Sequence, residues 1–136
     1  MLAAGASGAW VGTRLAACPE ALTADVARRA LIAAAETDTT LTRVFDVGLG
    51  RPWPARFPSR VLANDFVAHW TGREQELAAD RAARAELEAS IADDDLRVAP
   101  VDAGQGVGMI RDDAPAGEVI EQMCAGADDL LGRWGR

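Results

Sequence analysis

The feature that most constrains this sequence is the stretch Gly5-Ala6-Ser7-Gly8-Ala9-Trp10-Val11-Gly12-Thr13-Arg14. Gly5 suits the end of a helical turn, where a residue without Cβ accepts positive φ. Ser7-Gly8 carries the turn on, and Ala9-Trp10-Val11 reads as a short strand. Its apolar run has no alternation, which predicts burial on both faces, as in a parallel sheet. Such a strand needs neighbours, because its backbone groups must find partners in other segments. Gly12-Thr13 then places two peptide N–H groups and a hydroxyl at the strand's carboxyl end with little bulk in front of them, chemistry suited to a phosphate. No Walker or dinucleotide glycine fingerprint surrounds the pair, so taken alone it reads first as an ordinary helix–turn–strand joint.

Composition narrows the partners. With 136 residues, 49% of them hydrophobic, the chain can bury the core of one modest domain. A net charge of −7 argues against nucleic acid, whose phosphates call for a basic surface. Cys18 and Cys124 lie far apart, outside any C-x-x-C pattern and with His69 as the sole histidine, which argues against zinc. They fit a reducing cytoplasm, where buried thiols are small apolar residues. No apolar run is long enough to cross a membrane, and no export signature opens the chain. Met1-Leu2-Ala3-Ala4 resembles the last turn of a helix whose earlier turns are missing. Together with a strand in need of neighbours, this leads us to expect a piece of something larger.

Along the rest of the chain, Leu15–Leu22 reads as a connector broken by Pro19, and Thr23 as the N-cap of a helix from Ala24 to Glu36. Val26, Ala30, Leu31, Ala34 and Ala35 mark its inner face, and Thr37-Asp38-Thr39-Thr40 stops it. Leu41–Val47 is expected to be a strand, and the proline-dense Gly48–Pro58 a loop whose Arg51 and Arg56, with Arg60 beyond it, face either an anion or paired carboxylates. Leu62, Phe66 and Trp70 recur every four residues, so a helix is expected over Arg60–Thr71, ended by Gly72. His69 sits beside that stripe without an orienting partner nearby in sequence. Arg73–Ile91 reads as one charge-laced helix with an Asp80–Arg84 pair, followed by Asp93-Asp94-Asp95, a run better suited to a solvated turn than to a metal. Arg97–Val101 is extended and leads into the glycine-rich stretch Asp102–Ile110. Pro115 opens the last helix, whose stripe of Val119, Ile120, Met123, Ala127, Leu130, Leu131 and Trp134 is expected to pack against the rest of the fold.

Two stretches together carry a family resemblance. Leu2 through Leu15 resembles the eighth-strand region of the nitronate monooxygenase family, formerly the 2-nitropropane dioxygenases, in which a G-T-R motif leads into a helix and a Thr-Asp-Thr turn, here Thr37-Asp38-Thr39. Pro100–Ile110 and the following Pro115–Ile120 are similar to the family's late A-G-Q segment and terminal helix, and Trp53–Trp70 to its variable loop and helix. The resemblance implies an α/β fold: the C-terminal part of a (β/α)8 barrel, around strand eight, with a mostly helical C-terminal extension, helix-dominated as an isolated chain. Three regions follow: 1–47 as the strand-eight and helix-eight part, 48–96 as a variable loop and helical excursion, and 97–136 as a glycine-rich segment and helix packing back on the barrel.

The same resemblance implies FMN as cofactor, with Trp10, Val11, Gly12 and Thr13 as contacts and the phosphate on the last two. Ala103, Gly104 and Gln105 are implied to border the flavin, and Gly106 stands where some members carry Ser. Implied partners are an alkyl nitronate and O2; strands one to seven are missing, which implies either a fragment or truncated product or an N-terminal barrel half encoded separately. The family's basic His lies on an earlier strand that His69 does not match, so no catalytic residue is assigned. Weak or absent activity is expected of the isolated chain. A flavin-dependent enoyl-acyl-carrier-protein reductase has similar segments, and a non-enzymatic helical module using the terminal stripe as a seam is the third reading.

Overall fold

The computed structural model describes residues 2–134 and the side chains as far as Arg133. Its helices are α1 Thr13–Ala16, α2 Asp25–Ala33, α3 Val44–Gly48, α4 Asp65–Trp70, α5 Glu74–Ala79, α6 Arg81–Ala92 and α7 Ala116–Trp134. Its strands are β1 Thr39–Thr42 and β2 Ser59–Leu62, and 3-10 turns lie at Leu2–Ala4, Glu36–Asp38 and Gln105–Met109. Helix therefore dominates the described residues. The strands pair antiparallel, from Thr39 opposite Leu62 to Thr42 opposite Ser59. On the other edge of β2 the chain returns as an extended piece. Val101 accepts from the Leu62 N–H, Asp102 bridges to Val61, and the Ala103 N–H donates to the Arg60 carbonyl.

Two apolar cores flank this small sheet. The first joins Val44, Phe45, Val61, Phe66, Val67, Trp70, Leu77, Ala83 and Leu87. Phe45 and Phe66 stack at 5.9 Å between centroids, an arrangement that adds to their burial. The second joins Ala17, Leu31, Ala34, Val101, Ala103, Val107 and Ile110.

Local structure departs from the sequence expectations where tertiary contacts outweigh periodicity. Gly5 does end a helical turn, with φ of 90° and its N–H on the Leu2 carbonyl, while Met1 lies outside the described residues. Ala9–Val11, expected as a buried strand, is irregular and largely exposed. Among the described residues no backbone hydrogen bond involves Ala6–Val11, so nothing turns this stretch into a ladder. Gly12 starts a short helix instead. Ala24, not Thr23, caps α2, which ends at Ala33 rather than Glu36.

The expected strand at Leu41–Val47 shifts forward onto the β-branched Thr39–Thr42, and Val44–Gly48 becomes a buried helix. The expected helix from Arg60 divides into β2 and α4, because Asn64 accepts from the Val67 N–H and starts the helix there. Likewise the single helix over Arg73–Ile91 breaks at Asp80, whose carboxylate caps α6 through the amides of Ala82 and Ala83. Arg84 consequently donates to the Gly48 carbonyl at 2.9 Å rather than pairing with Asp80.

The terminal stripe differs most. Of its described side chains only Val119 is buried, while Ile120, Met123, Leu130 and Leu131 reach solvent, because few elements of this chain lie against α7.

Candidate functional site

Gly12 is followed by α1, whose first amides have no partner one turn earlier. The Leu15 and Ala16 N–H groups both return to the Gly12 carbonyl. Among the described residues, the Gly12 and Thr13 amides donate to no other group. A Cβ built on Gly12 would meet no heavy atom within 4 Å, so no side chain crowds this position. The Thr13 hydroxyl turns inward and accepts from the Gly104 N–H at 2.8 Å, across 91 residues of chain. A Cβ on Gly104 would lie 3.3 Å from that same hydroxyl, a tight approach that glycine relieves.

Gly104 introduces the 3-10 turn Gln105–Met109, and Ala103 before it is buried in the second core. Gly108 seats the turn: a Cβ would come within 2.7 Å of the Glu36 amide nitrogen, so only glycine permits this approach. The structure thus brings Gly12 and Thr13 together with Ala103 and Gly104, and leaves Gln105 exposed beside them. Val11 is half-buried in an apolar groove with Leu2, Leu15, Ile120 and Met123, about 430 Å³ in volume. Trp10 is not drawn in; its side chain is 100% exposed.

Arg14 adds a contact that the motif alone does not give. Its Nη2 meets the Asp112 carboxylate at 2.6 Å and its Nη1 the Asp112 carbonyl at 3.1 Å. Further on, the Glu20 carboxylate accepts from the Ala116 N–H at the start of α7. The stretch 13–20 therefore holds the stretch 104–116 at three places. An arginine directly after Gly-Thr and an acid downstream of the glycine-rich turn were the available signals, but only the fold pairs them.

Other side chains of interest lie apart from this arrangement. His69 sits on α4, edge-on to Trp70, with Nε2 3.1 Å from Arg73 Nη1. Arg56 stacks over Phe57 and Arg60 donates to the Thr39 hydroxyl, so both are occupied within their own region. Asp95 pairs with Arg97, whose hydrogen bonds hold its carboxyl below the usual range. No cluster among the described residues could hold a metal ion. Burial pushes the Cys18 thiol up, against the pull of Arg14, and its Sγ rests against the Arg14 carbonyl, as an inert thiol would. Cys124, expected to be buried, is exposed on α7. Desolvation raises the Asp102 carboxyl although part of its surface reaches solvent, a shift that Arg51 opposes and Asp46 reinforces. No described helix is long and apolar enough to cross a membrane.

A family model described as nitronate monooxygenase matches residues 1–126. Among solved structures, the chain is similar to FabK from Thermotoga maritima, with a TM-score of 0.75 and 24% identity, covering 98% of this chain and 40% of that one. The M276A mutant of the same FabK matches with a TM-score of 0.67 and 22% identity, covering 98% of this chain and 38% of the other. At these identities the likeness is one of fold, and the chain spans about two fifths of the length of the structures it matches. Such coverage agrees with the expected portion of a barrel. A comparison with curated proteins found no match.

Proposed function

The chain belongs to the nitronate monooxygenase family, and from that premise we propose that it forms the phosphate-binding end of an FMN-dependent oxidoreductase that oxidises alkyl nitronates with O2. The supporting observation is the bond from the Gly104 N–H to the Thr13 hydroxyl, which joins the two stretches the resemblance nominates. The donor set suits a phosphate: amides at Gly12 and Thr13 without an acceptor among the described residues, open space beside the Gly12 Cα, and a hydroxyl proton still to give. In this reading those groups hold the phosphate oxygens, and Ala103, Gly104 and Gln105 border the flavin. Val11 and the unpacked Trp10 complete the contacts. The chemistry that bound FMN supplies is electron transfer from the nitronate to O2. This chain's residues contribute binding and orientation, and none of them is given the role of base.

The remaining strands of such a barrel, in cis or in trans, are the partner that would pair the backbone of Ala9–Val11. We place the protein in the cytoplasm, in keeping with its free thiols. The likeness to FabK favours enoyl-acyl-carrier-protein reduction as the second reading.

Titration of the purified chain into FMN and into riboflavin, followed by flavin fluorescence, tests the assignment. Quenching with a preference for FMN is expected. Equal or absent quenching would leave the helical interaction module standing instead. With the other strands supplied, nitronate-dependent O2 uptake against NAD(P)H-dependent enoyl reduction separates the two enzymatic readings. The chain alone is expected to show little or no turnover.

A further inference from the structure

We propose that Arg14 is a positioning residue, acting through Asp112 to hold the glycine-rich turn against Gly12–Thr13; this role rests on the flavin-phosphate reading above. The Arg14 side chain is only 16% exposed although its carboxylate partner is 61% exposed, so the guanidinium is drawn into the joint rather than left on the surface. It grips Asp112 twice, at the carboxylate and at the carbonyl, which fixes direction as well as distance. The Asp112 carboxylate in turn accepts from the Ala114 N–H, so the acid is itself held in place.

The grip matters because of what lies on either side of it. Arg14 follows Thr13 directly, and Asp112 lies shortly beyond Gln105–Met109. Between them runs the Thr13–Gly104 bond, a single neutral contact that closes a loop of 91 residues. The turn itself is seated by Val107 and Ile110 in the second core and by Gly108 against Glu36, and this bond ties its start to Thr13. A charged pair beyond the far end of the turn adds a directional tie between the two segments. Glu20 at the Ala116 N–H supports α7 and does not touch the turn.

The test compares FMN with riboflavin in fluorescence titrations of the full chain and its variants, because Gly12 and Thr13, to which the turn is aligned, are the proposed holders of the phosphate that only FMN carries. Arg14→Gln is expected to lower the FMN-to-riboflavin affinity ratio by about tenfold, the size of one charge-assisted hydrogen bond. Amide exchange of residues 44–98 should stay unchanged, so that misfolding is not the cause. Asp112→Asn is expected to lower the ratio as well, and the double variant with Arg14→Gln to lower it no further than Arg14→Gln alone. If the two losses add, the Arg14 charge acts directly and the positioning role falls. An unchanged ratio in Arg14→Gln overturns the role alone. A wild-type chain that does not prefer FMN sinks the phosphate reading and the role with it.

Discussion

The two cores of this molecule are built from different side chains. Around residues 44–98, Phe45, Phe66, Trp70, Leu77 and Leu87 meet one another from α3, α4, α5 and α6. The stretches that carry the candidate site lean on a smaller set, Ala17, Leu31, Val107 and Ile110 chief among them. Trp10, Leu22, Met109, Ile120 and Leu130 remain exposed outside residues 44–98, and Trp53, Phe57 and Ile91 within them. The contrast is one of composition: the first core gathers aromatic and leucine side chains from four helices, whereas the second is built of smaller residues and is accompanied by the ties Thr13–Gly104 and Arg14–Asp112.

The largest expected effect falls on the first core. Leu87→Ala removes a side chain with no solvent exposure and should cost about 3 kcal/mol in urea unfolding. If the two regions differ as described, amide exchange should accelerate across 44–98 and much less at 104–110. Equal acceleration in both would show a single cooperative unit and end the comparison.

Gly108→Ala probes the other side and should cost about 1–3 kcal/mol, since its Cβ would collide with the backbone at Glu36. Here exchange should rise around 104–110, and flavin affinity should fall with it. A stable variant with unaltered exchange would mean that the turn has room to shift.

The smallest effect is electrostatic. Desolvation lifts the Asp102 carboxyl above its ordinary value of 3.8, so the folded state binds this proton more tightly than the unfolded state. Stability contributed by this group therefore falls as pH rises from that value through the raised one. Asp102→Asn should raise Tm slightly at pH 7, and the gain should vanish below pH 3.8, as thermal melts across pH would record.

Two stretches of the candidate site are legible as small-residue segments because their chemistry is that of the backbone. Gly12-Thr13 and Ala103-Gly104-Gln105 were nominated from sequence, through small residues, free amides and their family resemblance, and the fold does bring Thr13 to Gly104. Asp112 was not nominated, since an exposed acid gives no sign of its partner until two distant segments meet. The elements were harder. Asn64 and Asp80 cut two expected helices because their side chains satisfy amides at new helix starts, a local contest that apolar spacing does not reveal. Val44–Gly48 is a helix packed closely on α6, with a Cβ on Gly48 only 2.7 Å from the Leu87 side chain.

The sequence by itself determined the helix-rich character, the positive-φ turn at Gly5 and the small-residue segments of the site, all properties set by a residue and its near neighbours. Tertiary structure alone decided whether Ala9–Val11 becomes a strand, which stripe is buried and which charges pair. A strand's hydrogen bonds, a helix's covered face and an ion pair's partner are each supplied by a distant part of the chain. Their energies exist only once that part has arrived.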